Sequence, residues 1–172
     1  MSMEHKAFVF DYGRFQAELA PILFRALEND SMDDLIVFIR QHQAEIRTPD
    51  EGDPLEAGWE ERFVEEGLDR VGAVALTRYY DPLKDIGLDY DWQELGRLFP
   101  DDNEVLGVPF GPPLHLFDPG KMGSWFQSPE MVRKHEVLAR DVAARLPQSD
   151  LRRCIAMFQK AREKAGGLYV TF

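Results

Sequence analysis

The chain has 172 residues, 44% of them hydrophobic and 30% charged, with a formal net charge of −11, a composition that fits one globular domain (1–172) with a real hydrophobic core. An acidic chain of this kind excludes nonspecific binding to nucleic acid or anionic membranes, which draws on basic patches, and no apolar run approaches the ~18 residues of a membrane span. The single cysteine, Cys154, has no intrachain partner for a disulfide, and the N-terminal segment lacks the apolar region of a signal peptide, so the expected setting is reducing and cytoplasmic.

The acidity is uneven. Residues 130–172 hold nine Lys/Arg against five Asp/Glu, whereas residues 1–129 hold eleven against 26. The acidic part would attract a basic protein partner, and the same surface also serves simply to keep the chain soluble.

In chain order, Lys6–Phe10 reads as a short strand ended by Asp11-Tyr12-Gly13. Phe15, Leu19, Ile22, Leu23, Ala26 and Leu27 follow helical spacing, interrupted by Pro21, which predicts a kink or a restart. Ser31, with Asp34 three residues on, predicts the cap of a second helix whose buried stripe is Leu35, Phe38, Ile39, His42 and Ile46. After a polar connection, 55–70 reads as an acidic helix with Trp59, Phe63, Val64 and Leu68 as its apolar members. Residues 71–80 fit either helix or buried strand, and the alanine spacing favours helix. Asp91 predicts the cap of a short helix over 92–99, followed by a polar turn at 101–103. Ser128-Pro129-Glu130 is a helix start with the cap, the first-turn proline and the favourable dipole charge all in place. That helix should run to about 146, with Val132, His135, Ala139 and Val142 on its buried face. A last helix capped by Ser149 or Asp150 ends at Gly166-Gly167. Leu168–Phe172 then alternates as a strand, with Leu168, Val170 and Phe172 on one face.

These elements predict an α+β fold, mainly helical, in which short strands at the two ends of the chain pair so that their backbone groups are satisfied. Between the helices lies Leu106–Ser128. With four Gly and four Pro in this stretch it is read as irregular, yet its aromatic residues carry too much apolar surface to stay in water. A second unusual stretch is Tyr79–Glu94, where five carboxylates are interleaved with Tyr and Trp.

Asp81, Asp85, Asp89 and Asp91 are the candidate metal ligands. The calcium-loop template fails on them, because the sixth position, which must be Gly, is Ile86 counted from Asp81 and Glu94 counted from Asp89. The simpler role is turn and cap formation; no metal or cofactor is expected. His115, Asp118 and Ser124 are the candidate catalytic set, a base, an orienter and a nucleophile. No nucleophile elbow surrounds Ser124, and Asp118-Pro119-Gly120-Lys121 reads as a type II turn. His42, His135 and Cys154 fall on apolar helix faces, the ordinary place of core residues.

The strings ALTRYYDP (75–82), FDPGKMGSWFQS (117–128) and GLYVTF (167–172) resemble those of bacterial hypothetical proteins of similar length without an assigned activity, and this resemblance implies no catalytic residue and no substrate. The function expected from the residues is a small acidic interaction module, in its sharpest form an immunity-like inhibitor of a basic partner. Its binding residues would be Tyr79, Tyr80, Asp85, Asp89 and Asp91 with Phe117, Lys121 and Trp125. The alternative is a small-molecule enzyme, such as a hydrolase, with a pocket between the loops 79–94 and 106–128.

Overall fold

A computed structural model describes residues 3–101 and 104–172. Its centre is a three-stranded antiparallel sheet in the order β1-β3-β2, formed by β1 (Lys6–Phe10), β2 (Ser124–Gln127) and β3 (Gly167–Thr171). The predicted pairing of the two end strands is present, with Lys6 opposite Thr171 and Phe10 opposite Gly167. The other edge of β3 is taken by β2, with Ser124 opposite Thr171 and Gln127 opposite Leu168. That strand lies inside the segment read as irregular, whose Gly and Pro content masked a run of only four residues.

Because side chains alternate across a strand, the sheet has two different faces. Phe8 and Phe10, Phe126, and Tyr169 point to one side and join α1 (Tyr12–Glu18), α2 (Ala20–Asn29), α3 (Asp33–His42), α4 (Trp59–Glu66) and α5 (Leu68–Leu76) in the larger core. Ala7, Leu168 and Val170 point to the other side, against α7 (Pro129–Arg145) and α8 (Arg152–Glu163). The small α6 (Trp92–Gly96) borders this second core through Trp92 and Leu95. The result is a sheet between two helical layers, in agreement with the predicted mainly helical α+β class. Among the described residues, no helix is long and apolar enough to cross a membrane.

Local chemistry explains most element boundaries. Pro21 restarts the helix as expected: α1 ends at Glu18, Leu19 joins the two segments, and Pro21 stands in the first turn of α2. The predicted acidic helix over 55–70 is instead α4 followed by α5, because Gly67 takes φ 105°, outside the helical region, and breaks the ladder. Residues 71–80 are helical, as the spacing favoured, with a 3-10 turn at 77–79. Ser31 does not cap α3; Met32 occupies that position and Asp33 and Asp34 lie in the first turn, where they favour the helix dipole. Asp91 precedes α6 without a side-chain capping bond, and α6 stops at Gly96, short of 99. Residues 102 and 103 of the predicted polar turn lie outside the described residues.

Ser128 caps α7 as predicted, its hydroxyl accepting from Met131 N at 3.2 Å. At α8 the cap position is Leu151, and Asp150 is bound to Arg152 through the backbone N–H and the guanidinium. The helix ends through Ala165 at φ 51° and a bond from Gly166 N to Ala161 O.

Two histidines are locked into this frame. His5 is fully buried; its Nε2 donates to Val105 O at 3.0 Å and its Nδ1 accepts from Leu88 N at 3.1 Å, so the ring is neutral. Burial holds its pKa below the ordinary value. His135 bonds Gln127 Oε1 at 2.8 Å, and burial, assisted by Lys134, pushes its pKa down to about 4. Groups that are harder to protonate when folded contribute stability that is complete above pH ~6.5 and is lost as the pH falls toward the folded value. Thermal melts should therefore show Tm falling between pH 7 and pH 4, and His135→Gln should flatten that decline; an unchanged slope would remove His135 from the account. The aromatic core gives a second check: Phe126, which stacks on Phe15 at 5.3 Å and on Tyr169 at 5.2 Å, should cost about 3–5 kcal/mol when replaced by alanine, read by denaturant unfolding.

Candidate functional site

The segment 106–128 is held down at both ends of its exposed arc. Val108 and Phe126 exchange two backbone hydrogen bonds, of 2.9 and 2.8 Å, across the outer edge of β2. The turn before this bridge needs Gly107, at φ 107°, since a Cβ there would lie 2.4 Å from Phe126 O. Phe110 packs on Phe15 and Phe24, and Gly111 rests against Leu27 of α2. Phe117 is buried against α5, where Gly72 leaves room for its ring.

The decisive fastening is polar. The Asp69 carboxylate, in the first turn of α5, accepts from His115 Nε2 through Oδ2 and from Asp118 N through Oδ1, both at 2.8 Å. The Asp118 carboxylate in turn accepts from Met122 N and Gly123 N; a turn does form at 118–121, closed by Lys121 N on Asp118 O, but it is not the expected type II, because the left-handed residue is Lys121 at φ 57° and not Gly120. His115 and Asp118 are thus brought together through Asp69, a residue that sequence reading left out because it lies 46 positions from His115. The Asp118 side chain is spent on backbone amides and does not orient the imidazole. Ser124 is buried at the start of β2, opposite Thr171, and forms no hydrogen bond with His115 among the described residues.

Between these fastenings the loop presents apolar surface to water. Leu114 is fully exposed, and Val108, Leu116 and Met122 are exposed around it in the segment; Phe24 of α2, which touches Phe110, is partly exposed as well. Lys121, at φ 57°, stands in solvent, while Trp125 is half-buried with its ring edge on Phe172. An exposed leucine on a loop held by hydrogen bonds at both sides is a pre-ordered contact, because the ordering cost has already been met in the free protein.

In the second predicted stretch, 79–94, the four aspartates have their partners assigned one by one. Asp81 accepts from Leu83 N and faces Lys84; Asp85 accepts from Ala7 N and Gly87 N; Asp89 and Asp91 both face Arg153. Among the described residues no group of three His, Cys, Asp or Glu side chains comes together as a metal-ligand set. Tyr79 is buried and its hydroxyl donates to Glu18, beside Arg78; burial pushes its pKa up to about 12. Neither Tyr79 nor Phe117 offers surface to a partner. Cys154 is buried, and burial pushes its thiol up to about 12, which leaves it unreactive.

The two unusual loops do meet. A pocket of about 250 Å³ is bounded by Tyr80, Pro82 and Asp85 from one and by Pro119 and Gly120 from the other. Its floor is the sheet at Phe8 and Tyr169, and its rim holds Arg70, tied to Asp50 and Glu66. His115, Asp118 and Ser124 are not among its lining residues. Comparison with known proteins found no matching family model, no similar curated protein and no similar solved structure.

The Asp69 fastening is open to a direct test. Asp69→Ala removes the acceptor of both His115 and the Asp118 amide, which should cost about 1–3 kcal/mol of stability and open the 108–118 arc to limited proteolysis. Digestion at an unchanged rate would show that the apolar packing alone holds the loop.

Proposed function

We propose that this chain is an acidic protein-interaction module that docks a basic partner through the 106–128 loop. The observation that carries the reading is Leu114, completely exposed on an arc pinned beside α5 by the Asp69 carboxylate. A hot spot of this kind needs an apolar anchor with little left to order on binding. The charge of −11 supplies the selectivity, since complementary fields speed encounter with a basic partner and repel acidic ones. An inhibitor of a basic toxin-like protein in a reducing, cytoplasmic setting is the sharpest form of the idea, and the resemblance to bacterial proteins of unassigned activity is compatible with it.

The enzyme reading has the 250 Å³ pocket in its favour. A hydrolase there would have to work with Arg70, Tyr80 and Asp85, because the His115 ring is already engaged elsewhere. The interaction reading uses the loop as it stands, and it is the one we adopt.

The test is retention of a basic protein on the immobilised chain at ~0.1 M and ~1 M salt, in parallel with the Leu114→Asp variant. The expected result is a partner retained by the native chain at low salt, released at high salt, and held roughly tenfold more weakly by the variant. Retention that ignores both salt and the substitution at Leu114 would overturn the reading.

A further inference from the structure

The outer edge of β1 is closed by its own chain on both sides of Val9. Ala7 accepts from Ile86 N and donates to Asp85, and just beyond the strand Asp11 N donates to Tyr79 O. Phe8 and Phe10 turn their backbone groups to β3, so by alternation the N–H and C=O of Val9 point outward, side by side. Among the described residues no backbone or side-chain group bonds them.

The gap has a local cause. After Tyr79 the covering chain turns about Pro82: the Asp81 carboxylate accepts from Leu83 N and the Asp81 carbonyl from Lys84 N. It regains the strand edge only at Asp85 and Ile86. The arc between stands away from Val9 and forms one wall of a cleft of about 690 Å³, whose other wall is the C-terminal end of α8. That volume is in the range of small-molecule sites, and a recessed N–H and C=O left without partners are costly.

The width of the gap and the charge of the cleft define the occupant. With Ala7 and Asp11 already paired, one donor and one acceptor can enter together, which is the edge of a single amide. The charged lining is four carboxylates against three amines, a near balance that favours neither an anion nor a cation. The carboxylates are also engaged elsewhere: Asp11 faces Arg14, Asp81 faces Lys84, Asp85 accepts two backbone amides and Glu163 accepts from Gln159. Val9, Ile86 and Ala165 give the cleft apolar wall.

We propose that this cleft binds a small uncharged heterocycle through an amide edge, an N–H beside a C=O, of the kind carried by lactams and by some nucleobases. The ligand N–H donates to Val9 C=O and the ligand carbonyl accepts from Val9 N–H, while its ring lies between the 81–86 arc and the end of α8. The site shares no residue with the 106–128 loop, so its occupancy is independent of docking there.

The test uses the full chain, labelled for ¹⁵N–¹H spectra, and three probes: 2-quinolone, N-methyl-2-quinolone and hypoxanthine. The expected result is a saturable shift of the Val9 amide with 2-quinolone, and affinity about tenfold lower for the N-methyl compound, which keeps the shape and loses the donor. Hypoxanthine distinguishes the two sources of the edge: tighter binding than 2-quinolone supports a nucleobase, weaker binding a simple lactam. The Lys160→Ala, Lys164→Ala double variant, both positions being exposed on or next to α8, should bind 2-quinolone unchanged. No saturable Val9 shift with either amide-edged probe at millimolar concentration, or equal binding of the N-methyl compound, would overturn the proposal. A tenfold loss in a folded double variant would do so too, since it would show recognition of charge. The comparison of probes on the native chain stands without the variant.

Discussion

The double pairing of β3 is the constraint on which the other elements depend. A strand in the middle of a sheet must give one set of backbone groups to each neighbour, and here Tyr169 and Thr171 serve β1 while Leu168 and Val170 serve β2. That division fixes which side chains face which helical layer. Tyr169 is thereby committed to the aromatic core with Phe10, Phe15 and Phe126, and Val170 to the smaller core under α7 and α8. A slip of one residue would exchange the two faces.

The edges of so small a sheet would be exposed without the loops. At β2 the Val108 bridge covers Phe126, and at β1 the 85–89 turn covers Ala7 and His5. Gly87 is required there, because a Cβ would sit 2.2 Å from His5 O. The segments that look irregular in sequence are thus edge protection, a common need of open sheets. Their Gly and Pro content follows from close backbone approach, not from looseness.

What could be read from the sequence follows from how local each cause is. The caps and breaks at Ser128, Pro21 and Gly166 act within one helical turn, and the helices they delimit are where the spacing puts them. The end strands were legible because Lys6–Phe10 is a short β-type run stopped by Asp11-Tyr12-Gly13 and Leu168–Phe172 alternates. By contrast β2 has four residues and too little alternation to stand out, and its signal, an aromatic pair between Gly123 and Pro129, makes sense only with β3 beside it. Gly67 was legible in principle, but the acidic periodicity on both sides concealed the break. The candidate site is the least legible part. His115 was noticed, but its partner Asp69 is joined to it only by the packing of the loop on α5, and Asp118 looked like an orienting acid although its local turn consumes the carboxylate. Residue type and spacing give chemical capacity, whereas pairing across the fold decides how that capacity is used.

The position of β3 has one more consequence, for biosynthesis. Its partners β1 and β2 are made first, β1 roughly 160 residues earlier, and neither can pair until Gly167–Thr171 leaves the ribosome. Until then Phe8, Phe10 and Phe126 belong to unpaired segments, which are prone to association. The helices α1–α5 can gather around their own apolar stripes during synthesis, but the frame that joins the two layers closes only with the last element of the described chain. Nascent chains halted before β3 should be the form in which this protein most needs a chaperone.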